Sequence, residues 1–283
     1  RLTPELSNND FAKALFLIIC GVFKKAIISD YISTNFVDRV FDNPSLYTGL
    51  ENLFAVYGYA IQIYADFSGY TDIAIGVALL LGFHLPVNFD APYVSSSITE
   101  FWRRWHISLS TWLKDYLYIP LGGNRHGKFR QYLNQFLTML LGGLWHGASF
   151  NFILWGALHG VALGVDKFVQ DQFKLNTHKW TKVLGVIVTF HFVCFCWILF
   201  RAKTFDDVQL VLTQIFEHLH PEIFTQLVLG YKNVFILMLL AMMLHFIPFA
   251  WHSKSVQVMS KLPLPLQSVI MVLVLYFVAQ VQS

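Results

Sequence analysis

The sequence predicts an all-α integral membrane protein, and three observations carry that reading. Of its 283 residues, 55% are apolar and only 13% charged. An ordinary soluble domain is about a quarter charged, so the surplus apolar surface must face lipid rather than a larger core. Stretches free of Asp, Glu, Lys and Arg recur near the length that crosses a bilayer core, about 20 residues. Between them lies an amphipathic segment rich in tryptophan. The net charge of +3 comes from basic residues scattered among apolar runs, a topology signal rather than a nucleic-acid patch. Cys20, Cys194 and Cys196 also sit in apolar runs with no CxxC, so neither a disulfide framework nor a zinc site is expected. The chain opens on Arg1 without a signal-peptide pattern and stops inside the apolar "FVAQVQS". That suits a fragment of one domain, residues 1–283, lacking sequence at both ends.

In chain order, Ala14–Phe23, ended by Lys24 and Lys25, predicts a first apolar helix. Asn52–Ala65 and Ile73–Phe89 flank "DFSGYTD" and predict two short helices, broken or partly buried, around a polar interruption. Ser97-Ile98-Thr99-Glu100 fits a capping box, in which Ser97 and Glu100 satisfy orphan amides at a helix start. Beyond it, Trp102, Trp105, His106, Leu109 and Leu113 share one helical face, and Arg104, Ser108, Thr111 and Asp115 another. This predicts one amphipathic helix in the interface, its tryptophans at headgroup level. It should stop before "IPLGGNRHGK", a Pro/Gly turn whose cations point to the cytosolic side. Lys167–Lys182 is basic too, which leaves the orientation open. Gln131–Val165 carries no formal charge and is too long for one span, so it suits two helices or a span plus a re-entrant piece. Val183–Phe200, Asn233–Ser253 and Leu262–Ser283 predict three more spans, for roughly seven or eight membrane segments in all.

Ionisable residues inside a membrane are costly and point to function by default. Asp66 and Asp72 bracket the Gly-containing break and read as a polar contact there. His191 and His245 stand alone in apolar runs and read as interhelical hydrogen-bonding groups, while His84, before a Pro-containing exit, reads as interfacial. His146 and His159 lie in "GGLWHGASFNFILWGALHG" beside the GxxxG pairs Gly143/Gly147 and Gly156/Gly160, a spacing that lets helix backbones approach. On one continuous helix the two imidazoles would stand ~20 Å apart along the axis and about 140° apart around it. They could not share a proton there, although Gly147-Ala148-Ser149 offers a break that relaxes this limit. No HExxH, GxSxG, Walker A loop or strand-borne GxGxxG is present, and the one close acidic pair, Asp206-Asp207, is expected in a loop. Histidine is therefore the residue type in the apolar regions able to exchange protons near neutral pH. The residues alone point to a histidine acid/base site inside a membrane, and they do not choose between His146 and His159.

"ITEFWRRWHISLSTWLKDYLYIPLGGNR", followed by "GGLWHGASFNFILWGALHG", resembles the membrane-bound O-acyltransferases. Together with "QIYADFSGYTDIAIGVALLLGFHLPVNFDAPY" and "VCFCWILFRAKTFDDV", it resembles their bacterial alginate O-acetyltransferase membrane-subunit branch, and the likeness covers nearly the whole chain. The resemblance implies a multi-span helical fold with broken or re-entrant helices around a central tunnel. It maps the near-invariant family histidine onto His146 in "LWHGA" and the second polar position onto His106 in "RRWHIS", which are then the implied catalytic residues. Trp105, Arg103, Arg104, Arg125, Lys128, Asn151 and His159 are the implied substrate-binding set, the cations holding donor phosphates near the cytosolic mouth. The implied activity takes an acyl group, acetyl foremost, from a cytosolic thioester such as acetyl-CoA. It passes that group across the bacterial cytoplasmic (inner) membrane to an exported polysaccharide such as alginate. Periplasmic acetylation proteins are the implied partners, with no bound cofactor, no metal and no nucleic acid. The alternatives are D-alanyl transfer to teichoic acid from a carrier-protein thioester, and a non-catalytic relay or channel feeding a periplasmic transferase.

Overall fold

A computed structural model describes residues 7–173, 179–247 and 249–282, and among them every regular element is helical. In chain order these are α1 (Asn8–Val22), α2 (Gly49–Leu80), α3 (Ile98–Arg104), α4 (Ile107–Leu113), α5 (Gly127–His146) and α6 (Phe150–Phe173). There follow α7 (Lys179–Arg201), α8 (Phe205–Glu217), α9 (Phe224–Gly230), α10 (Lys232–His245), α11 (Phe249–Ser260) and α12 (Leu264–Gln282). Wide π-type turns at Phe23–Ser29 and Ser33–Val37 bend the chain after α1, and another at Lys114–Tyr118 follows α4.

Among the described residues three helices, α2, α6 and α7, are long and apolar enough to cross a bilayer. A fourth span arises if Pro221–Gly230 and Lys232–His245, bent by 92°, cross as one broken segment. That is fewer than the seven or eight expected, because apolar runs in the sequence end up in shorter or interrupted helices. Asn233–Ser253 is one such case: α10 stops at His245 and α11 starts at Phe249, and Pro248 lies outside the described residues. Gln131–Val165 forms two helices, α5 and α6, and Val183–Phe200 lies within α7.

The chain divides into two compact units. The first comprises Arg1–Arg39, Gly58–Val87 and Thr225–Ser283. Here the expectation of two short helices around "DFSGYTD" is overturned, because α2 runs unbroken through that stretch. The reason is tertiary. A Cβ on Gly69 would lie only 2.7 Å from the Gly21 carbonyl oxygen, so the glycine serves the close approach of α1 rather than a break. The two carboxylates lie against cations that follow α1: Lys24 Nζ stands 2.7 Å from Asp72, and Lys25 pairs with Asp66 and, at 3.0 Å, with Asp30. Asp66 and Asp72 are therefore ion-paired within a continuous helix, not contacts at an interruption. Replacing Asp72 with Asn leaves Lys24 uncompensated in a half-buried site, and losses of about 3–5 kcal/mol are typical when one partner of a buried pair is removed. The expected result is a lower thermal unfolding midpoint in detergent for Asp72→Asn than for the double change Lys24→Met/Asp72→Leu. Equal midpoints would mean the pair contributes nothing.

The second unit comprises Val40–Tyr57 and Asn88–Phe224. Its centre is the antiparallel hairpin of α5 and α6, where a Cβ on Gly143 would come within 3.1 Å of the Gly156 Cα. His191 on α7 behaves as expected: its Nε2 is 3.1 Å from the Tyr57 hydroxyl on α2 and its Nδ1 2.8 Å from the Ile187 carbonyl. Asp206 and Asp207 do not lie in a loop. They open α8, where Thr204 and Asp207 form a reciprocal capping box.

The expected single amphipathic helix is also broken, into α3 and α4. Ser97 caps α3 as foreseen, accepting from the Glu100 amide at 3.2 Å, but Glu100 reaches back to the amide and hydroxyl of Ser96 rather than to Ser97. Asp166 of α6 accepts from the Thr99 amide at 2.9 Å, tying the start of α3 to the hairpin. At the other end, the extended segment around Asn88 takes the backbone groups that a continuous helix would have used internally. The Arg104 carbonyl accepts from the Asp90 amide, the Ile107 amide donates to the Asn88 carbonyl, and the Ser108 amide and hydroxyl donate to Asn88 Oδ1. Helix ends persist inside a protein only when such orphan groups are met.

Candidate active site

The break between α3 and α4 puts His106 at φ 44°, ψ 57°, a left-handed conformation that costs a non-glycine residue about 1 kcal/mol or more. Strain of this kind survives only where surrounding contacts over-determine it. Here Asn88 supplies them from one side and Trp105 from the other. Trp105, an expected headgroup residue, is instead buried, with ring centroids 5.0 Å from Phe89, 5.6 Å from Phe101 and 5.0 Å from Trp197. Trp102 is buried as well. The tryptophans of α3 therefore face the protein interior.

His146 is the last residue of α5, half-buried, at the tip of the hairpin. Its ring is walled by Trp145 at 4.9 Å, Phe152 at 6.1 Å, Trp155 at 5.3 Å and Phe200 at 5.0 Å. Burial, with the charge of His146 adding to it, pushes the His106 imidazole down to about 4. His106 rests uncharged at neutral pH, as a hydrogen-bonding or lone-pair group requires.

His159 is related to His146 differently from the straight-helix estimate. The chain turns back between α5 and α6, so both histidines contact the same indole, Trp155, at 5.3 Å and 4.7 Å. His159 is completely buried and its Nδ1 accepts a hydrogen bond from Trp102 Nε1 at 3.2 Å. It presents no surface to a substrate in this arrangement.

The remaining residues of the expected substrate-binding set separate into two groups. Arg104 is engaged by Glu100 at 3.0 Å and Asp90 at 3.3 Å. Asn151 is buried with its Nδ2 donating to the Ala202 carbonyl at 3.1 Å, and Lys128 pairs with Asp171 at 3.4 Å. Those three hold the protein's own groups. Arg103 and Arg125 are exposed. Residue-type reasoning did not single out Trp155, Trp197, Phe200 or Phe101, which build the wall around the histidines. The one trace of them is the spacing of Trp155 four positions before His159 within α6, which brings that indole one helical turn from the imidazole.

Comparison with known proteins agrees with this picture. Residues 5–205 match the family described as MBOAT, the membrane-bound O-acyltransferases. A peptidoglycan O-acetyltransferase of Helicobacter pylori is 42% identical over 207 residues, covering 73% of this chain and 39% of its own. A probable alginate O-acetylase AlgI of Pseudomonas putida is 49% identical over 196 residues, covering 68% of this chain and 39% of its own. A teichoic acid D-alanyltransferase of Bacillus subtilis is 35% identical over 201 residues, 66% of this chain and 50% of its own. The chain thus spans half or less of the length of these relatives. With the family pattern matched across both histidine-bearing segments, the chain belongs to the membrane-bound O-acyltransferase family.

Proposed function

We propose that this chain carries the transfer site of an O-acyltransferase that moves an acetyl group from a cytosolic thioester, acetyl-CoA, to a hydroxyl of an exported polysaccharide. The observation that supports this reading is His146 set among aromatic rings at the tip of the hairpin, with His106 held uncharged in its left-handed turn. In the reaction, neutral His146 accepts the hydroxyl proton as the oxygen bonds to the thioester carbonyl carbon. The tetrahedral intermediate then collapses, the carbon–sulfur bond breaks, and the imidazolium returns its proton to the departing thiolate. A positioned base of this kind accelerates transfer by ~10²–10⁴. His106, uncharged, is suited to orient the attacking oxygen or to stabilise the developing oxyanion. The aromatic walls exclude the water that would hydrolyse the thioester, and the exposed Arg103 and Arg125 meet the donor phosphates in this reading. The setting is a bacterial cytoplasmic membrane, with periplasmic acetylation proteins as partners that handle the polymer.

The relative named teichoic acid D-alanyltransferase favours one alternative, in which a carrier-protein thioester delivers D-alanine. Membranes containing the full-length protein, supplied with labelled acetyl-CoA and either acidic polysaccharide or teichoic acid, distinguish the two. Labelled acetyl esters on the polysaccharide are the expected product. Alanyl esters formed only with a charged carrier protein would favour the alternative, and thioester hydrolysis with no polymer ester would overturn both.

A further inference from the structure

Beyond the reacting pair, a buried chain of contacts links the two histidine-bearing segments. His146 meets Trp155 with ring centroids 5.3 Å apart, and Trp155 meets His159 at 4.7 Å. His159 accepts from Trp102 Nε1, and Trp102 also packs on Trp155 at 5.8 Å. Trp102 lies in α3, four residues before His106, and α3 ends at Arg104, just ahead of the left-handed turn at His106. His159, paired with the Trp102 indole, is thus a polar group within this aromatic path.

Its chemistry is that of a fixed strut. An indole N–H can only donate, so Nδ1 of His159 must accept and the ring's single proton sits on Nε2. That nitrogen is buried with no hydrogen-bond partner among the described residues, as is Trp155 Nε1. The single proton of the neutral His159 ring is therefore buried with that nitrogen. Adding a second would set two N–H groups against each other at the Trp102 contact. Rings hold the imidazole on the remaining sides, with Phe101 stacked at 6.4 Å and Phe192 edge-on at 5.5 Å. A polar ring kept in an apolar pocket, with one donor unanswered, loses stability relative to a hydrocarbon side chain. The Trp102 bond is what its presence secures.

We propose that His159 is a positioning residue: its Trp102 hydrogen bond and its packing on Trp155 fix His146 relative to His106, and it neither titrates during turnover nor touches substrate. This rests on the transfer reading given above. It departs from the substrate-contact role that the family resemblance implies for His159.

The test uses full-length protein in membranes, with initial rates measured against donor and acceptor concentration and against pH. Variants are His159→Leu, which removes the acceptor, Trp102→Phe, which removes the donor but keeps a ring, and His159→Asn, whose amide oxygen can stand in for Nδ1. His159→Leu and Trp102→Phe are each expected to lower kcat about 10- to 100-fold, the scale set by small misplacements of reacting groups. Both KM values and the acidic limb of the pH–rate profile should stay where they are, and His159→Asn should recover most of the loss. A shifted acidic limb would make His159 a titrating participant. A rise in KM alone would make it a substrate contact, and a wild-type kcat in His159→Leu would leave it no role. Any of these overturns the proposal. Should His159→Leu fail to accumulate, Trp102→Phe and His159→Asn carry the same comparison. A wild-type protein that forms no ester would count against the transfer reading instead.

Discussion

Replacing His146 with Ala is expected to abolish acyl transfer while the protein still inserts and folds. The chemical part follows from the loss of the base, a factor of ~10²–10⁴. The structural part follows from the wall around it. Phe152 and Phe200 pack on each other at 5.2 Å, Trp155 on Phe200 at 5.5 Å and Trp197 on Phe200 at 5.4 Å. These rings keep their contacts without the imidazole, so a half-buried side chain is lost from a wall that stands by itself. Transfer rates in membranes, normalised to protein inserted, check the expectation, and more than about a tenth of wild-type activity is incompatible with a general base worth that much. The pH dependence sharpens it. His106, held at about 4, stays neutral well below pH 6, whereas protonating a base removes the lone pair it needs. A rate that falls as pH drops from 7 toward about 5 therefore reports on His146 rather than His106.

Gly143→Val should be as damaging by a different route. The Cβ it introduces lies 3.1 Å from the Gly156 Cα and 3.2 Å from the Gly156 nitrogen, and closer still to the Phe152 carbonyl oxygen. All three neighbours are backbone, so no rotamer change relieves the clash and α5 and α6 must separate. Overpacking of this kind costs about 1–3 kcal/mol or more. His146 follows three residues later, so the separation carries it away from Trp155, and a shift near 1 Å can cost about 10²-fold in rate. Gly164→Ala, on the same hairpin, serves as the control. Its Cβ would meet the Tyr132 ring at 3.9 Å, an ordinary contact. Gly143→Val is expected to lower both the thermal midpoint in detergent and the transfer rate, with Gly164→Ala close to wild type. Indistinguishable variants would mean the two helices do not approach as described.

What was legible in the sequence was written in local pattern. The span at Val183–Phe200 showed as an uninterrupted apolar run long enough for α7. The charge-free stretch Gln131–Val165, longer than one bilayer crossing, allowed two helices or a span plus a re-entrant piece, and the structure forms the pair α5 and α6. The start of α3 showed in Ser97, whose hydroxyl caps the Glu100 amide within one turn, although Glu100 itself reaches Ser96 rather than closing the box. His191 was read correctly, since a lone imidazole in an apolar helix needs a partner on another helix. Where local pattern misled, the partner came from far along the chain. Gly69 looked like a helix break and is instead a contact surface for α1, and the tryptophans of α3 looked interfacial until α6 and α7 covered them.

By itself, the sequence determined that the chain is helical, that it lives in a membrane, and that histidine is the residue type available for proton transfer there. Those properties depend on composition and on periodicities of a few residues, which no tertiary contact can alter. Only the tertiary structure decided that α3 and α4 are separate helices, that His106 sits in a left-handed turn, and that His146 and His159 share one indole. Each depends on groups brought from elsewhere: Asn88 taking the free amides of α4, Asp166 capping α3, and the hairpin folding α6 back along α5. Short-range pattern carries no record of which distant group will satisfy an orphan amide or fill the space beside a ring.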